Sequence, residues 1–211
     1  MKTYSVPGVA VRKGVGDANE AKTLPTCERL QDALKDLSIR RGSTVVVHAL
    51  PATGTYTFLS LLLAEPSRKG IYSAVVGLGD YNFSLAAYLD VDLSKVITID
   101  PKLRFSEREL ARAAFALLDG FGIVVISGKI ASLNSPRFSA KARQKGATLV
   151  VVENSSSPKD ISRRVKADLR LFVGRSPWTL SGSVSSGILT EGDITVQAVE
   201  RMEHYPNRRA S

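Results

Sequence analysis

Short apolar runs alternate along the chain with segments whose apolar residues recur every three or four positions. Ser43 to Ala49 reads Ser-Thr-Val-Val-Val-His-Ala. A β-branched run of this kind suits a parallel strand covered on both faces. Comparable runs at Ile71–Gly77, Lys95–Ile99, Ile123–Ser127 and Ala147–Val152 predict four more strands. Helical spacing predicts a helix over Cys27–Lys35, capped by Thr26, with Leu30, Leu34 and Leu37 on one side. Further helices are predicted over Gly54–Glu65, closed by Pro66, and over Asn82–Leu89. Two more span Ser106–Leu118, capped by Ser106 and ended by Gly120, and Ser135–Lys145, ended by Gly146.

Strands alternating with helices of this length predict an α/β fold built from βαβ units. Its sheet is mostly parallel and twisted, with helices on both faces. The rhythm changes after Ser155-Ser156-Ser157-Pro158. Asp168–Val173, Trp178–Val184, Ser186–Leu189 and Asp193–Arg201 read as successive strands without helices between them. They predict antiparallel strands at the C-terminal edge of the sheet. Residues 1–23 read as an arm or edge segment, 24–203 as the α/β domain and 204–211 as a frayed tail. Arg40-Arg41-Gly42 reads as a turn, and there is no internal repeat.

Composition narrows the function classes. Of 211 residues, 44% are hydrophobic and 23% charged, which is ordinary for a globular chain. No apolar run reaches the length of a membrane span, and Met1–Pro7 lacks the apolar stretch of a secretory signal. The expectation is a cytoplasmic protein. A single cysteine, Cys27, and two histidines, His48 and His204, give no basis for a disulfide or a Cys/His metal cluster. Cys27 and His48 read as structural, and Trp178 as packing against the sheet edge.

Charge adds a second signal. The formal net charge is +9, and its distribution is uneven. Lys129 to Arg175 holds eleven basic residues against Glu153, Asp160 and Asp168, a local balance of +8. Arg137, Lys141 and Lys145 are spaced by four and share one helix face; Lys159, Arg163, Arg164 and Lys166 follow. Such a window suits weak, sequence-independent contact with DNA phosphates, or a solvated basic face.

The strand ending at Ala49, the loop and the helix from Gly54 stand where a nucleoside triphosphatase carries its phosphate loop. That loop needs Gly, four residues, Gly, Lys, then Ser or Thr: amides cradle the phosphates, the lysine neutralises them and the hydroxyl binds magnesium. Here the first glycine is Ala49, the lysine is Thr55 and the hydroxyl position is Tyr56; Gly54 alone is kept. Pro51 removes a further backbone donor. A phosphate loop without its lysine lacks the charge that stabilises a transferring phosphoryl group.

By order and spacing, the chain resembles a RecA-type core over roughly residues 24–203. Tyr72–Gly79 is similar to that family's second core strand, Ala86–Val96 to its next helix and turn, and Leu117–Ser127 to the strand carrying the Walker B aspartate. Leu149–Asn154 is similar to the strand ending in the nucleotide-sensing glutamine. On that resemblance the catalytic glutamate position is Gly79, the Walker B position Ser127 and the sensor position Asn154. None keeps its chemistry, so the resemblance implies a degenerate pseudo-ATPase with no cofactor.

Arg40–Val45, Ala74–Asp80, Ala116–Gly120 and Gly174–Trp178 are further similar to the ImuA-type (ImuA-prime) accessory proteins of the actinobacterial DNA-damage mutagenesis cassette. This resemblance implies a non-catalytic scaffold in translesion synthesis during the SOS response. Its partners would be an ImuB-type Y-family polymerase homologue and a replicative-type polymerase. A SulA-type cell-division inhibitor and a divergent RecA-like recombinase are the alternatives.

Overall fold

The computed structural model describes residues 22–35, 37–49, 54–79, 81–100, 105–154, 165–175, 179–181, 188–190 and 193–198. Nine strands run in chain order: β1 Thr44–Ala49, β2 Ser73–Val76, β3 Val96–Ile99, β4 Ile123–Ser127, β5 Thr148–Asn154, β6 Leu169–Arg175, β7 Thr179–Ser181, β8 Ile188–Thr190 and β9 Ile194–Ala198. Among the described residues six α-helices accompany them: α1 Glu28–Leu34, α2 Thr55–Arg68, α3 Phe83–Tyr88, α4 Glu107–Leu117, α5 Gly128–Ser132 and α6 Ser135–Lys145. Seven strands form one sheet in the order β3-β2-β4-β5-β1-β6-β9. All neighbours are parallel except β6 and β9. The α/β class read from the chain, a mostly parallel sheet with an antiparallel edge, is therefore the observed one.

The valine runs explain the layering. Along β1, Val45 and Val47 join a core built with α1, α2 and α3, while Val46 joins a second core with α4, α5 and α6. Alternate side chains thus feed opposite faces, and both faces are covered by helices. Helix α2 is the most deeply embedded: ten of its fourteen residues are buried, from Thr57 to Ser67. Helix α4 starts on a full capping box, in which the Ser106 side chain receives the Glu109 amide and Glu109 reaches back to the Ser106 amide. Gly146 closes α6 at φ 67°, in the left-handed region.

Four expectations need correction. Cys27, not Thr26, precedes the first helical residue, and it makes no side-chain capping bond; its thiol faces the Leu61 carbonyl at 3.5 Å. Helix α2 runs through Pro66 to Arg68. A proline there forfeits one bond in the last turn, and Glu65 ties that turn to Arg68 at 2.7 Å and to Lys69 at 3.3 Å. Strand β6 lies parallel to β1 inside the sheet, and only β9 forms the antiparallel edge. Strands β7 and β8 pair only with each other, in a separate two-stranded sheet. Residues 1–21, Trp178 and residues 204–211, for which an arm, a packing role and a tail are predicted, lie outside the described residues.

Helix α5 is not predicted by the sequence pattern. Five residues beginning with glycine carry too few positions to show a period. Its Ile130 and Ala131 are buried all the same.

Phe58 is completely buried in α2, whereas Phe105 is 46% exposed. Phe58→Ala is expected to cost about 3–5 kcal/mol in denaturant unfolding and Phe105→Ala less than about 1 kcal/mol. Equal losses would show that α2 is not the centre of the core.

Candidate functional site

Open α/β sheets bind ligands at the carboxyl ends of their strands, where the connections diverge to opposite faces. Here that place is the end of β1. Helix α2 leaves it toward one face, and the neighbouring β4 and β5 are joined through α5 and α6 on the other. Ala49 ends β1 and Asn154 ends β5, register partners of each other. Gly54 takes φ 93° immediately before α2, a left-handed turn that favours glycine. The loop between Ala49 and Gly54 lies outside the described residues.

Tyr56 occupies the first turn of α2. Its hydroxyl donates to the carbonyl of Gly79, just beyond β2. Its ring meets Tyr81 edge-on at 6.4 Å between centroids, and Tyr81 meets Phe83 in the same way at 5.3 Å. The two residues read from the sequence as the altered hydroxyl and glutamate positions of a nucleotide site are therefore bonded to each other. The three rings form one edge-on row beside the start of α2. Burial raises the Tyr81 phenol above its ordinary range, so it stays protonated there.

The far side is equally crowded. Ser127 ends β4 and directly precedes α5, without a side-chain capping bond. A Cβ added at Gly128 would stand 2.7 Å from the Glu153 Cγ, so Glu153 lies directly against the start of α5. At Gly77, which has φ 70°, an added Cβ would stand 2.2 Å from the Ile130 Cδ1. Helix α5 thus sits on the ends of β2, β4 and β5, and only glycine allows so close an approach.

Beneath this cover lies His48, fully buried on β1. It pairs in register with Glu153, and its Nδ1 is 3.5 Å from the Glu153 Oε2. Neither ring nitrogen makes a hydrogen bond within the described residues. The sequence reading of a hydrogen-bonded core histidine is corrected to that extent. Burial first, and the Arg170 guanidinium second, lower its pKa from 6.5 to about 4. At neutral pH the imidazole is uncharged, and the contact with Glu153 is not an ion pair.

The predicted basic face divides. Lys141 donates to the Phe115 carbonyl and to Asp119, both at 2.7 Å, and its ammonium stands 4.0 Å from the Phe115 ring centroid. Lys145 reaches Asp119 at 3.2 Å, and Arg137 lies over the Phe115 ring. The two lysines hold the Asp119 carboxyl below the usual range, Lys141 contributing most. They tie α6 to the end of α4 and share one carboxylate. Lys166 is exposed before β6. Lys159, Arg163 and Arg164 lie outside the described residues.

Residues 32–158 match the model of the MT3502 N-terminal domain, more than half of the chain. The protein belongs to the MT3502 N-terminal domain family. A search of curated proteins finds no match. The MT3502 match runs from α1 to just beyond β5, and it contains Tyr56, Gly79, Ser127, Glu153 and the α4–α6 contact. Strands β6 to β9 fall outside it. Among the described residues, no group of three His, Cys, Asp or Glu side chains could hold a metal ion, and no helix is long and apolar enough to cross a membrane.

Three of these features escape a reading by motif. Asp119 is the one charged residue between Arg112 and Lys129, and only the fold brings it to α6. Tyr81 and Phe83 belong to no pattern until the Tyr56 ring is placed beside them. Glu153 shows its relation to His48 only once β1 and β5 are in register.

The histidine yields a pH prediction. His48 binds its proton less tightly in the folded chain, so between pH 6.5 and about 4 the unfolded chain takes up more protons and acid lowers stability. His48→Gln removes that dependence. The melting-temperature advantage of the wild type over the variant is expected to shrink as pH falls from about 7 to about 5. A constant difference across that range contradicts the buried, neutral imidazole. In the same assay, Tyr56→Phe is expected to cost about 1 kcal/mol through loss of the bond to Gly79.

Proposed function

We propose that this protein is a non-catalytic, RecA-like scaffold of the ImuA type, acting in DNA-damage-induced translesion synthesis by binding a Y-family polymerase homologue. The observation that carries the reading is the bond from the Tyr56 hydroxyl to the Gly79 carbonyl. With it in place, the helix start that follows β1 presents a threonine at the position read as the phosphate-loop lysine and an engaged tyrosine at the position read as the free hydroxyl. Thr55 supplies no positive charge, and Ser127 no magnesium-holding carboxylate. Membership of the MT3502 N-terminal domain family leaves this reading open, and the resemblance of the chain to ImuA-type proteins supports it.

A core without phosphoryl chemistry still offers surfaces. On the described residues, β3 is one sheet edge and β9 the other. Leu93 and Ile97 at the β3 edge are 38% and 40% exposed, and Tyr88 nearby in sequence is 82% exposed. Unpaired edges with apolar side chains are natural places for another chain to add.

Co-expression with an ImuB-type polymerase homologue, followed by size-exclusion chromatography, tests the reading. A stable heteromeric complex is expected, and Thr55→Lys should leave it intact because the contact does not run through the loop after β1. Capture of a tubulin-like division protein instead, or a complex that forms only with added nucleotide, would overturn it.

A further inference from the structure

At the opposite end of the sheet, the turn read from sequence as a plain connection has a more specific build. Arg40 pairs with Thr23 in an antiparallel bridge, and the Arg41 amide donates to the Lys22 carbonyl at 2.8 Å. The Arg40 carbonyl receives the Ser43 hydroxyl at 2.6 Å and the Ser43 amide at 3.2 Å. Gly42 is buried at φ 77°, and a Cβ there would meet the Arg143 backbone and the Gly146 Cα at 3.5–3.6 Å. The turn is therefore fixed, and it is pressed against the last turn of α6. That contact brings Arg40 and Arg41 beside Arg143.

These three arginines line one cavity of about 460 Å³ together with Leu37, Asp168 and Leu169. The one carboxylate among its described lining residues is already engaged. Asp168 accepts the Thr44 amide at 2.8 Å through one oxygen and Arg143 at 3.1 Å through the other. Neither Arg40 nor Arg41 forms an ion pair with a described residue. Lys22, whose carbonyl receives the Arg41 amide, and Lys166, two residues before Asp168, are both exposed and add the same sign. Three guanidinium groups against one satisfied carboxylate leave a fixed positive field in a concave site.

We propose that this cavity binds the phosphodiester backbone of single-stranded nucleic acid. Guanidinium groups match phosphate oxygens in a bidentate way and hold their charge at every physiological pH. The apolar wall from Leu37 and Leu169 suits a sugar or an unstacked base beside the phosphate. A single strand can turn one nucleotide into a cavity of this size, and a stacked duplex cannot. The site lies about 20 Å along β1 from the end that carries Tyr56. It also differs from the α6 face, where Asp119 already holds Lys141 and Lys145. It stands independently of the scaffold reading.

Fluorescence anisotropy of the full chain with a labelled oligothymidylate of about twenty nucleotides, at about 50 mM salt, tests it. Arg40→Gln/Arg41→Gln is compared with Arg108→Gln/Arg112→Gln, which removes equal charge from exposed positions on α4. The first pair is expected to weaken binding at least about tenfold and to flatten the log–log salt slope by about 1.4, at about 0.7 per lost phosphate contact. The second pair should stay within about twofold of wild type, and a duplex of the same length should bind more weakly. Should the double variant melt early, Arg41→Gln alone carries the test, since its side chain forms no hydrogen bond or ion pair with a described residue. Absence of binding by the wild type, equal losses in both pairs, equal binding of duplex, or displacement by poly-glutamate as effective as by unlabelled oligothymidylate would each overturn the proposal.

Discussion

Everything in this molecule is arranged around the burial of β1 and the helix that follows it. Val45, Val46, Val47 and His48 are all fully covered, with β5 on one side and β6 on the other. Helix α2 leaves the strand through the left-handed Gly54 and sinks ten residues into the core. A helix held this firmly has little freedom in its first turn. Tyr56 is accordingly fixed against Gly79 and Tyr81, and the character of the strand ends follows from that placement.

The two ends of the sheet then differ in kind. At the carboxyl ends, Tyr56 meets Gly79 and Tyr81, the start of α5 meets Glu153, and Glu153 adjoins an uncharged His48. At the amino ends, the Arg40–Ser43 turn and the last turn of α6 leave a cavity edged by arginine. The basic stretch that stands out in the sequence is split between these environments. Lys141 and Lys145 spend their charge on Asp119, a tie between α4 and α6 worth little more than the ordinary surface pair for its exposed partner. Arg143, two residues from Lys141, looks instead toward the cavity and Asp168.

Much of the fold was legible because its signals are local. The valine run of β1, the Ser106 cap with Glu109 three residues on, and Gly146 after Lys145 each mark an element through the chemistry of one or two residues. Strand β6 was misread as antiparallel because no helical pattern separates it from the strands that follow. Its parallel pairing is with β1, more than a hundred residues earlier, and no local pattern shows it. Helix α5 gave no period to read. The changed phosphate-loop residues were visible at Thr55 and Tyr56, but the destination of the Tyr56 hydroxyl was not, since Gly79 lies 23 residues away and meets it only in the folded chain.

The central claim of the proposed function is that the carboxyl end of β1 binds no nucleotide. Isothermal calorimetry of the wild-type chain with magnesium-ATP at millimolar concentration measures it directly. The account predicts no binding heat above dilution, and a melting temperature that millimolar nucleotide leaves unchanged, because stabilisation requires a ligand concentration well above Kd. A saturable heat accompanied by a rise in melting temperature would contradict it, for Tyr56 would then have to leave Gly79 to admit the phosphates.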